Sequence, residues 1–424
     1  MLRLIYNATI LSYANAHTTM RSGVFFVAKN ILDELKRRAD VEVALYCDAE
    51  RYAYLQDFAA TAYPGMPCMM DSPTKLRVFL AKKIVLLRKK QEQSQIWSVR
   101  KLYGCICHGI VHILHMYHPW TKADERFCQY DAYLSPWHPL PAVLKKKAIP
   151  AFFLIHDMMP FLYTAYREML KKSNPFAQLI RQVNDTFYYF PISEATKKDF
   201  LRFCPAVNQA HLLVSYNGIS DRFRPVAQAK INSVKQKYAI QDAYAFSLGN
   251  VLPHKNLVTQ LQAFITFVKK EGIKNFTYVI AGGGSDFPLL LEKYVAPEDK
   301  AYIQFIGYVA DEDIPPLYAG ATWFSFTSEY EGFGLPVLEA MRCGCPVVAG
   351  NTSALPEICG DAALCIDCHS VDEHIAAYRT YYFDKKIRAE KIEKGFIQGA
   401  KFTWTKSVDE KLAFIKEHCK ESAL

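Results

Sequence analysis

Apolar strand-like segments and amphipathic helices alternate along this chain, and glycine-bearing loops repeatedly follow the strands. The alternation occurs twice, and the polar run of residues 228–235 separates the two series. Such a pattern predicts parallel sheets covered by helices, with ligands bound at the carboxyl ends of the strands. We therefore expect an α/β fold of two doubly wound, Rossmann-like domains that face each other across a cleft. The expected domains are residues 1–225 and 226–400, followed by a C-terminal helix at 401–424 that packs back on the first domain.

Length and composition agree with a two-domain globular protein. The 424 residues exceed what one core usually holds, and 51% of them are hydrophobic. Residues 1–7 are typical of a buried strand rather than a signal peptide, and no apolar run reaches the roughly 18 residues of a transmembrane helix. Twelve irregularly spaced cysteines favour reduced thiols over a disulfide framework. We therefore expect a cytoplasmic protein.

The net charge of +9 is unevenly distributed. Residues 1–228 carry 30 Lys and Arg against 18 Asp and Glu, or +12, whereas residues 229–424 carry 21 against 24, or −3. A basic first half predicts an anionic partner for that half alone. Because the basic cluster is interleaved with aliphatic side chains and lacks a nucleic-acid recognition motif, a membrane surface is favoured over nucleic acid.

The main basic cluster lies in residues 75–101, where apolar residues recur at helical spacing. The apolar positions are Leu76, Phe79, Leu80, Ile84 and Leu87. The basic positions expected to face a membrane are Lys82, Lys83, Arg88, Lys89 and Lys90. This composition is typical of a helix lying on an anionic membrane. A solvated helix whose apolar stripe packs on its own domain gives the same pattern, and both interpretations stay open.

Residues 328–348 contain the most informative motif. A strand-like segment leads into a loop with Gly332 and Gly334, and a helix follows. Two carboxylates, Glu331 and Glu339, stand eight residues apart and bracket the glycines. A glycine loop before a helix N-terminus lets backbone N–H groups approach an anion closely. The stretch is therefore expected to hold a phosphate-bearing sugar.

Other polar residues directly follow predicted strands, where doubly wound folds place their ligands. In the first half these residues are Gly23, His156 and Ser193. Each also has a purely structural explanation, namely a helix start, a buried histidine and a helix N-cap. In the second half, a loop from Gly249 brings His254 and Lys255 to a helix N-terminus, which suits a diphosphate.

With these motifs in this order, the chain resembles a retaining GT-B glycosyltransferase of family 4, the glycosyl transferases group 1. The resemblance rests first on Glu-Gly-Phe-Gly-Leu-Pro-x-Leu-Glu-Ala at residues 331–340. Further matching stretches are Arg21-Ser22-Gly23, Ile155-His156-Asp157, Pro191-Ile192-Ser193-Glu194, Asn217-Gly218, Gly249 with Lys255-Asn256, and Ala281-Gly282-Gly283-Gly284. The match is dense after residue 150 and thin from about 48 to 128, where the acceptor-binding half of the family varies.

The resemblance implies a role for each matching residue. The catalytic residues that it implies are His156, Lys255 and Glu331. The donor-binding residues that it implies are Gly23, Ser193, Gly249, His254, Lys255, Tyr308, Val309, Glu331, Gly332, Phe333, Gly334, Leu335 and Glu339. Lys255 would bind the diphosphate, Glu331 the sugar hydroxyls and Glu339 the ribose. The N–H groups of the glycine loop would hold sugar and phosphate, and Tyr308 with Val309 would lie at the base.

One part of the phosphate loop departs from the family pattern. The family commonly has an arginine before the lysine or soon after the first glycine, whereas this chain has His254 and Asn250. We therefore expect phosphate binding to depend more on Lys255 and to become pH-dependent through His254.

Two routes to retention are open. A carboxylate nucleophile, for which Glu331 is the candidate, would form a covalent intermediate. Alternatively, the acceptor attacks from the leaving-group face and the departing phosphate takes its proton. We expect the second route, because the resemblance makes Glu331 a hydroxyl ligand and Lys255 supplies charge stabilisation. We expect no cofactor and no divalent-cation requirement.

The donor and acceptor follow from the resemblance alone. His-Asp-x-x-Pro at 156–160 and Ser-Glu-Ala-Thr-Lys-x-Asp-Phe at 193–200 look most like bacterial mannosyltransferases of lipopolysaccharide or capsule assembly. GDP-mannose is therefore the expected donor, with a UDP-hexose or a rhamnosyl donor as the alternative. A glycan or lipid-linked glycan is the expected acceptor, met at the inner face of the cytoplasmic membrane. A nucleotide-sugar epimerase of GT-B shape is the alternative activity.

Overall fold

The computed structural model describes residues 1–12, 23–71, 74–116, 122–146, 149–241, 243–283 and 287–421. Arg21, Ser22 and Gly284, which contribute to the resemblance, lie outside these ranges. The chain forms two compact units. Unit 1 comprises Met1–Pro191, Phe200–Ser215 and Val408–Leu424. Unit 2 comprises Ile192–Asp199 and Tyr216–Ser407. Both predicted domain boundaries, after residues 225 and 400, lie within unit 2.

Unit 1 is built on a parallel sheet with six strands among the described residues. The strands are β1 Leu2–Asn7, β2 Val41–Tyr46, β3 Cys68–Met69, β4 Ala132–Ser135, β5 Ala151–Ile155 and β6 Tyr188–Pro191. Their order is β3-β2-β1-β4-β5-β6. Leu4 pairs with Val43 on one side and with Ala132 on the other, and both pairings are parallel. Every residue of β4, β5 and β6 is buried, as expected for a sheet covered on both faces.

Helices connect and cover the strands of unit 1. The α-helices are α1 Thr9–Ser12, α2 Gly23–Lys36, α3 Tyr52–Ala62, α4 Lys75–Gln93, α5 Trp97–Met116, α6 Met159–Leu162, α7 Pro175–Gln182 and α8 Glu194–Phe203. The 3-10 segments are Ala49–Arg51, Lys122–Gln129, Leu144–Lys146, Thr164–Leu170 and Gln209–His211. The start of α7 illustrates the local code: Asn174 accepts from Phe176 N–H at 2.9 Å, and proline follows it at N1.

Unit 2 contains a second parallel sheet of six strands in the described part of the chain. The strands are β7 Ala243–Leu248, β8 Phe276–Ala281, β9 Ile303–Gly307, β10 Trp323–Phe326, β11 Val347–Gly350 and β12 Ala363–Ile366. Their order is β12-β11-β10-β7-β8-β9. The chain adds strands to one side of β7 and then, from β10, to the other. The order therefore reverses between β7 and β10, which is where open α/β sheets bind ligands.

The helices of unit 2 follow the same alternation. They are α9 Gln228–Lys237, α10 Leu257–Lys270, α11 Phe287–Tyr294, α12 Ile314–Gly320, α13 Leu335–Arg342, α14 Leu355–Cys359, α15 Val371–Phe383, α16 Lys385–Ala400 and α17 Trp404–Glu421. The 3-10 segments are Pro253–Lys255 and Pro297–Tyr302. Helix α17 begins in unit 2 and ends in unit 1, where Phe414 packs edge-on against Phe190 with ring centroids 5.6 Å apart.

The predicted α/β fold of two Rossmann-like domains is confirmed, with two local corrections. Residues 211–215, expected to form a strand, make only an isolated parallel bridge between Leu212 and Tyr189. Residues 75–101 do not form one helix, because α4 ends at Gln93 and α5 begins at Trp97. Within the described ranges, no helix is both long enough and apolar enough to cross a membrane.

Candidate active site

The candidate site of unit 2 lies at the carboxyl ends of β7 and β10. These strands are neighbours, with Trp323 paired to Ala245 and Phe324 to Phe246. The loop after β7 carries Lys255, and the loop after β10 carries Glu331. Parallel strands direct both loops to the same edge of the sheet. Two motifs that are distant in sequence therefore meet at the topological switch point.

The loop after β7 is held by the loop after β8. The Gly249 N–H donates to Ala281 O at 3.0 Å, and Gly282 approaches Gly249 from the other side. Gly282 has φ +139°, and a Cβ at this position would lie 1.9 Å from Gly249 O. Only glycine fits there. A 3-10 turn then presents Lys255, and Asn256 starts α10 in the left-handed region with φ +52°.

Lys255 and Glu331 form an ion pair in which Nζ lies 2.5 Å from Oε1. The ammonium also lies 4.8 Å from the ring centroid of Phe326, in cation–π range. The two loops are joined through their main chains as well, since the Glu329 N–H donates to His254 O at 2.7 Å. The structure thus brings together two of the three predicted catalytic residues.

The glycine loop of residues 328–335, called the donor loop below, is held by side chains from two other segments. The Glu331 N–H donates to Ser353 Oγ at 2.8 Å. Gly332 O accepts from Ser193 Oγ at 2.8 Å and from Thr196 Oγ1 at 3.1 Å. Gly334 forms the N-cap of α13 with φ +113°, a conformation that glycine adopts readily. The donor loop therefore keeps a defined shape in the absence of ligand.

Four consecutive amides of the donor loop are available to an anion. Among the hydrogen bonds of the described residues, none is donated by the N–H groups of Gly332, Phe333, Gly334 or Leu335. These amides stand at the N-terminus of α13, where the helix dipole adds a partial positive charge. A row of free amides beside an ammonium is chemically suited to a phosphate.

A small polar cavity lies between the two loops. It holds about 20 Å³ and is lined by Gly249, Asn250, Lys255, Phe326 and Ser328, among others. Ser328 Oγ is buried and has no hydrogen-bond partner among the described residues. Such a cavity has room for about one water molecule. A polar ligand group reaching Lys255 would therefore also find an unused hydroxyl.

Glu339, expected at the ribose, lies on α13 in a different environment from Glu331. The Tyr318 hydroxyl donates to its Oε2 at 3.2 Å. Burial raises the pKa of Glu339 to about 7, although the positive charge of Arg222 opposes the rise. Glu339 is therefore partly protonated near neutral pH, when it can donate as well as accept a hydrogen bond.

Comparison with known proteins identifies the family. Residues 230–397 match the family described as Glycosyl transferases group 1. The chain is 36% identical over 336 residues to the O-antigen chain mannosyltransferase B of Escherichia coli, covering 78% of this chain and 80% of that protein. The chain belongs to the group 1 glycosyltransferases. It is thus a GT-B glycosyltransferase of the family 4 type, as the motifs predicted.

Other comparisons place this glycosyltransferase among further relatives. It is 27% identical over 222 residues to the serotype-specific mannosyltransferase WbdA of E. coli, covering 51% of this chain and 27% of that protein. The solved structure of Anabaena Alr3699/HepE in complex with UDP and glucose has a TM-score of 0.66 at 15% identity, covering 98% of this chain and all of that one. WaaG, a glycosyltransferase involved in lipopolysaccharide biosynthesis, has a TM-score of 0.61 at 13% identity, covering 98% and 99%. The structural likenesses support the fold alone.

Three predicted donor ligands have other surroundings in the glycosyltransferase. Ser193 is fully buried, and its hydroxyl caps α8 and holds Gly332, so it positions the donor loop rather than contacting a ligand. Val309 is buried in the core of unit 2, which leaves only its backbone for a base. Burial lowers the pKa of His254 to about 4, so the expected pH dependence near neutrality does not arise from this imidazole. Tyr308, by contrast, is 67% exposed.

Ser353 contributes to the site but was not assigned a role from the sequence. It follows β11, at the same sheet edge as the donor loop, and has φ +47°. Its hydroxyl accepts from the Glu331 N–H, and Thr352 beside it donates to Ser328 O at 2.8 Å. The polar run Asn351-Thr352-Ser353 directly after a buried strand was the available signal.

The remaining predicted site residues, Gly23 and His156, belong to unit 1. Gly23 is the first residue of α2, and a Cβ there would meet nothing within 4 Å. His156 follows β5, is buried, and has its Nε2 2.6 Å from Pro136 O. Burial lowers the pKa of His156 to about 4, and the nearby Lys411 charge acts in the same direction. His156 is therefore a neutral imidazole at neutral pH.

The basic segment has a different buried face from the one predicted. Helix α4 buries Arg77, Ala81, Ile84 and Val85. Leu76 and Phe79, expected on the apolar face with Ile84, are 61% and 54% exposed. The lysines at 82, 83, 89 and 90 are exposed, whereas Arg88 lies 4.0 Å from Glu50 within unit 1.

The expectation of no metal assumed that the chain lacks an Asp-x-Asp motif, which is wrong. Asp311-Glu312-Asp313 is such a triplet, located shortly after β9. The structure gives both aspartates cationic partners: Asp313 lies 2.5 Å from Lys237 Nζ, and Asp311 lies 3.7 Å from Arg222. The triplet is therefore part of two ion pairs in unit 2.

Proposed function

We propose that this glycosyltransferase is a retaining mannosyltransferase that transfers mannose from GDP-mannose to a glycan or lipid-linked glycan of a bacterial surface polysaccharide such as O-antigen. The identity to the O-antigen chain mannosyltransferase B of E. coli supports the sugar and the pathway. The complex of the Anabaena relative with UDP and glucose supports a nucleotide-sugar donor on this fold. The observation that carries the proposal is the Lys255–Glu331 pair beside four free amides.

The proposed donor site assigns one part of the donor to each group. The diphosphate binds the free amides of the donor loop and the ammonium of Lys255. Because the diphosphate and Glu331 are both anions, donor binding draws Lys255 away from Glu331. The released carboxylate then accepts hydrogen bonds from sugar hydroxyls. Glu339, on the same helix, holds the ribose, and the exposed ring of Tyr308 offers a stacking surface for the base.

The proposed transfer step needs no enzyme nucleophile. The acceptor oxygen attacks the anomeric carbon on the face from which the diphosphate departs. The bond from that carbon to the diphosphate oxygen breaks, and the acceptor proton passes to the departing phosphate. Lys255 and the N-terminus of α13 stabilise the negative charge that develops on the phosphate. A covalent adduct between mannose and Glu331, trapped during turnover, would overturn this route.

The step is also proposed to proceed without a divalent cation, since charges on the chain can neutralise the phosphate. Transfer measured with and without a chelator tests this. We expect equal rates; loss of activity that added Mg²⁺ or Mn²⁺ restores would contradict it.

The decisive experiment supplies the full chain with a panel of nucleotide sugars and a lipid-linked glycan acceptor. We expect turnover of GDP-mannose only when acceptor is present, and NMR of the product should show the anomeric configuration of the donor. Preference for a UDP-hexose or a rhamnosyl donor would replace the proposed donor. Conversion of donor in the absence of acceptor would support the epimerase alternative.

We further propose that the α4–α5 region brings unit 1 to an anionic membrane. Leu76, Phe79, Lys83, Leu86 and Lys90 recur at intervals of three and four residues, so they share one face of α4. All five are exposed. Trp97 on α5 adds a 73% exposed ring with Lys101 above it. Apolar and basic side chains mixed on one exposed face are suited to the boundary between acyl chains and anionic headgroups.

Vesicle flotation tests the membrane proposal. The full chain should float with vesicles that contain phosphatidylglycerol and not with neutral ones. Lys83→Glu combined with Lys90→Glu should abolish flotation. The same charge change at two exposed lysines of unit 2, Lys270→Glu with Lys274→Glu, should leave flotation unchanged. Equal losses in the two double variants would mean that total charge matters and that this face does not.

A further inference from the structure

Two thiols of unit 2 are in direct contact beside α14. Cys359 is the last residue of α14, and Cys365 lies in β12. The Cys359 S–H donates a hydrogen bond to the sulfur of Cys365. Cys359 is buried and Cys365 is partly exposed, so a small solute can reach one member of the pair. Both cysteines are reduced in this structure.

The short connection between the two thiols is held from outside. Cys365 is fixed in the sheet by its pairing with Ala349 of β11. Lys391 of α16 donates from Nζ to Asp361 O at 2.7 Å and to Ala363 O at 3.3 Å. The contact therefore arises from main-chain structure on both sides rather than from a freely moving loop.

The two thiols are not equivalent. The hydrogen bond from Cys359 lowers the pKa of Cys365, and the ammonium of Lys391 acts in the same direction against the effect of burial. The same hydrogen bond and burial raise the pKa of Cys359. Thiolates are the nucleophilic form of cysteine, and a thiolate beside a lysine and a second thiol is the usual setting of reactive cysteines.

We propose that Cys359 and Cys365 form an oxidisable pair that a peroxide closes to an intramolecular disulfide. The Cys365 thiolate attacks one oxygen of hydrogen peroxide, the O–O bond breaks, and a sulfenic acid and hydroxide form. The Cys359 sulfur then attacks the sulfenic sulfur and loses its proton, the S–O bond breaks, and water leaves. Two thiols are oxidised, and one peroxide is reduced to two waters. The sulfurs move from hydrogen-bond contact to a bond of about 2.05 Å.

A second pair of cysteines in unit 2 provides an internal comparison. Cys343 and Cys345 are both buried, and burial raises the pKa of each thiol, that of Cys343 to about 12. Neither is therefore poised as a thiolate. Cys105 of unit 1 is exposed and reports how readily an accessible thiol reacts with the same oxidant.

The test treats the full chain with hydrogen peroxide, blocks the remaining thiols by alkylation, and digests without reduction. Cleavage after Glu357 and before Asp361 places Cys359 and Cys365 on separate peptides, so mass spectrometry finds them joined only if the disulfide has formed. We expect this joined peptide to appear before Cys105 is oxidised. Oxidation of Cys105 while Cys359 and Cys365 both stay alkylatable would overturn the proposal, as would pairing of Cys365 with Cys368.

Variants separate the roles of the two thiols. Cys359→Ser should stop at the sulfenic acid of Cys365, which dimedone captures, whereas Cys365→Ser should give neither dimedone adduct nor disulfide. Cys343→Ser removes another buried thiol of the same unit and should form the disulfide at the wild-type rate. Dimedone capture at Cys359 in place of Cys365 would contradict the assigned order. Circular dichroism checks that each variant folds, and the joined wild-type peptide needs no variant.

Discussion

The ammonium of Lys255 lies 2.5 Å from the carboxylate of Glu331, although 76 residues separate them in the chain. The two side chains come from loops after neighbouring strands at the point where the order of the sheet reverses. Each charge is thereby neutralised by the other before any donor is present. On the proposed function, a diphosphate replaces Glu331 as the partner of Lys255, so donor binding and the release of Glu331 are one event.

Glu331→Ala should abolish most of the transfer while leaving the fold intact. The variant loses the group that meets the sugar hydroxyls, and we expect kcat to fall by about 10²-fold or more. Transfer assays and circular dichroism measure the two quantities. Glu329→Ala, two residues earlier on the same loop, is the control and should stay close to wild type. Full activity of Glu331→Ala would refute the assignment.

Lys255→Ala should weaken donor binding and slow transfer together. The diphosphate loses its main charged partner, and the leaving group loses its stabilisation, so kcat/KM should fall by about 10²-fold or more. Lys255→Arg keeps the charge and should recover part of the activity. Lys274→Ala, an exposed lysine of the same unit, controls for charge alone. Equal activities of the two alanine variants would exclude a phosphate role for Lys255.

Ser193→Ala should disturb the donor loop without removing a ligand contact. The Gly332 carbonyl would keep only Thr196, and we expect a stability loss of about 1 kcal/mol with a raised donor KM. Ser325→Ala is a matched control, since its buried hydroxyl contacts Tyr378 in the same unit. That control should lose similar stability with an unchanged KM. An unchanged KM in both variants would remove the positioning role of Ser193.

Glu339 should make the protein less stable as pH rises. Its folded-state pKa of about 7 exceeds the ordinary value of 4.5, so the folded state holds more protons between these values. The free energy of unfolding therefore falls across this window, by at most about 3 kcal/mol. Glu339→Gln should flatten this dependence, and melting at pH 5 and pH 8 measures it. Glu298→Gln, which removes an exposed carboxylate, should leave the dependence in place.

Gly282→Ala should damage the phosphate loop from outside the site. The added methyl would lie 1.9 Å from Gly249 O at a φ that alanine rarely adopts, so the two loops must separate. We expect a stability loss of roughly 2 kcal/mol or more and a raised donor KM. Gly109→Ala on α5 meets nothing within 4 Å and should be neutral or mildly stabilising. Wild-type behaviour of Gly282→Ala would show that loop contact is dispensable.

Features that depend on local pattern were predictable from the sequence. Alternating apolar segments and glycine loops predicted the two parallel sheets, and the position of Glu331 after a strand placed it at a sheet edge. The meeting of Glu331 with Lys255 followed from the rule that parallel strands direct their loops to one edge.

Features that depend on long-range burial were not predictable. The partner of Ser193 is 139 residues away, so capping and ligand binding could not be separated from local sequence. The burial of His254 arises from the packing of unit 2 and lowers its pKa. On α4, periodicity predicted an apolar face but could not reveal that Arg77 turns inward to reach Leu114 O at 2.7 Å.

The interleaving of the two units along the chain limits how this glycosyltransferase can be cut and recombined. Unit 2 includes Ile192–Asp199, which supplies the Ser193 and Thr196 hydroxyls that hold Gly332. A fragment starting at residue 226 would lack this support, and its donor loop would lose two of its fastenings. Any chimaera that exchanges donor specificity between relatives must therefore transfer Ile192–Asp199 together with Tyr216–Ser407. Selection on these enzymes should treat the two segments as one heritable module.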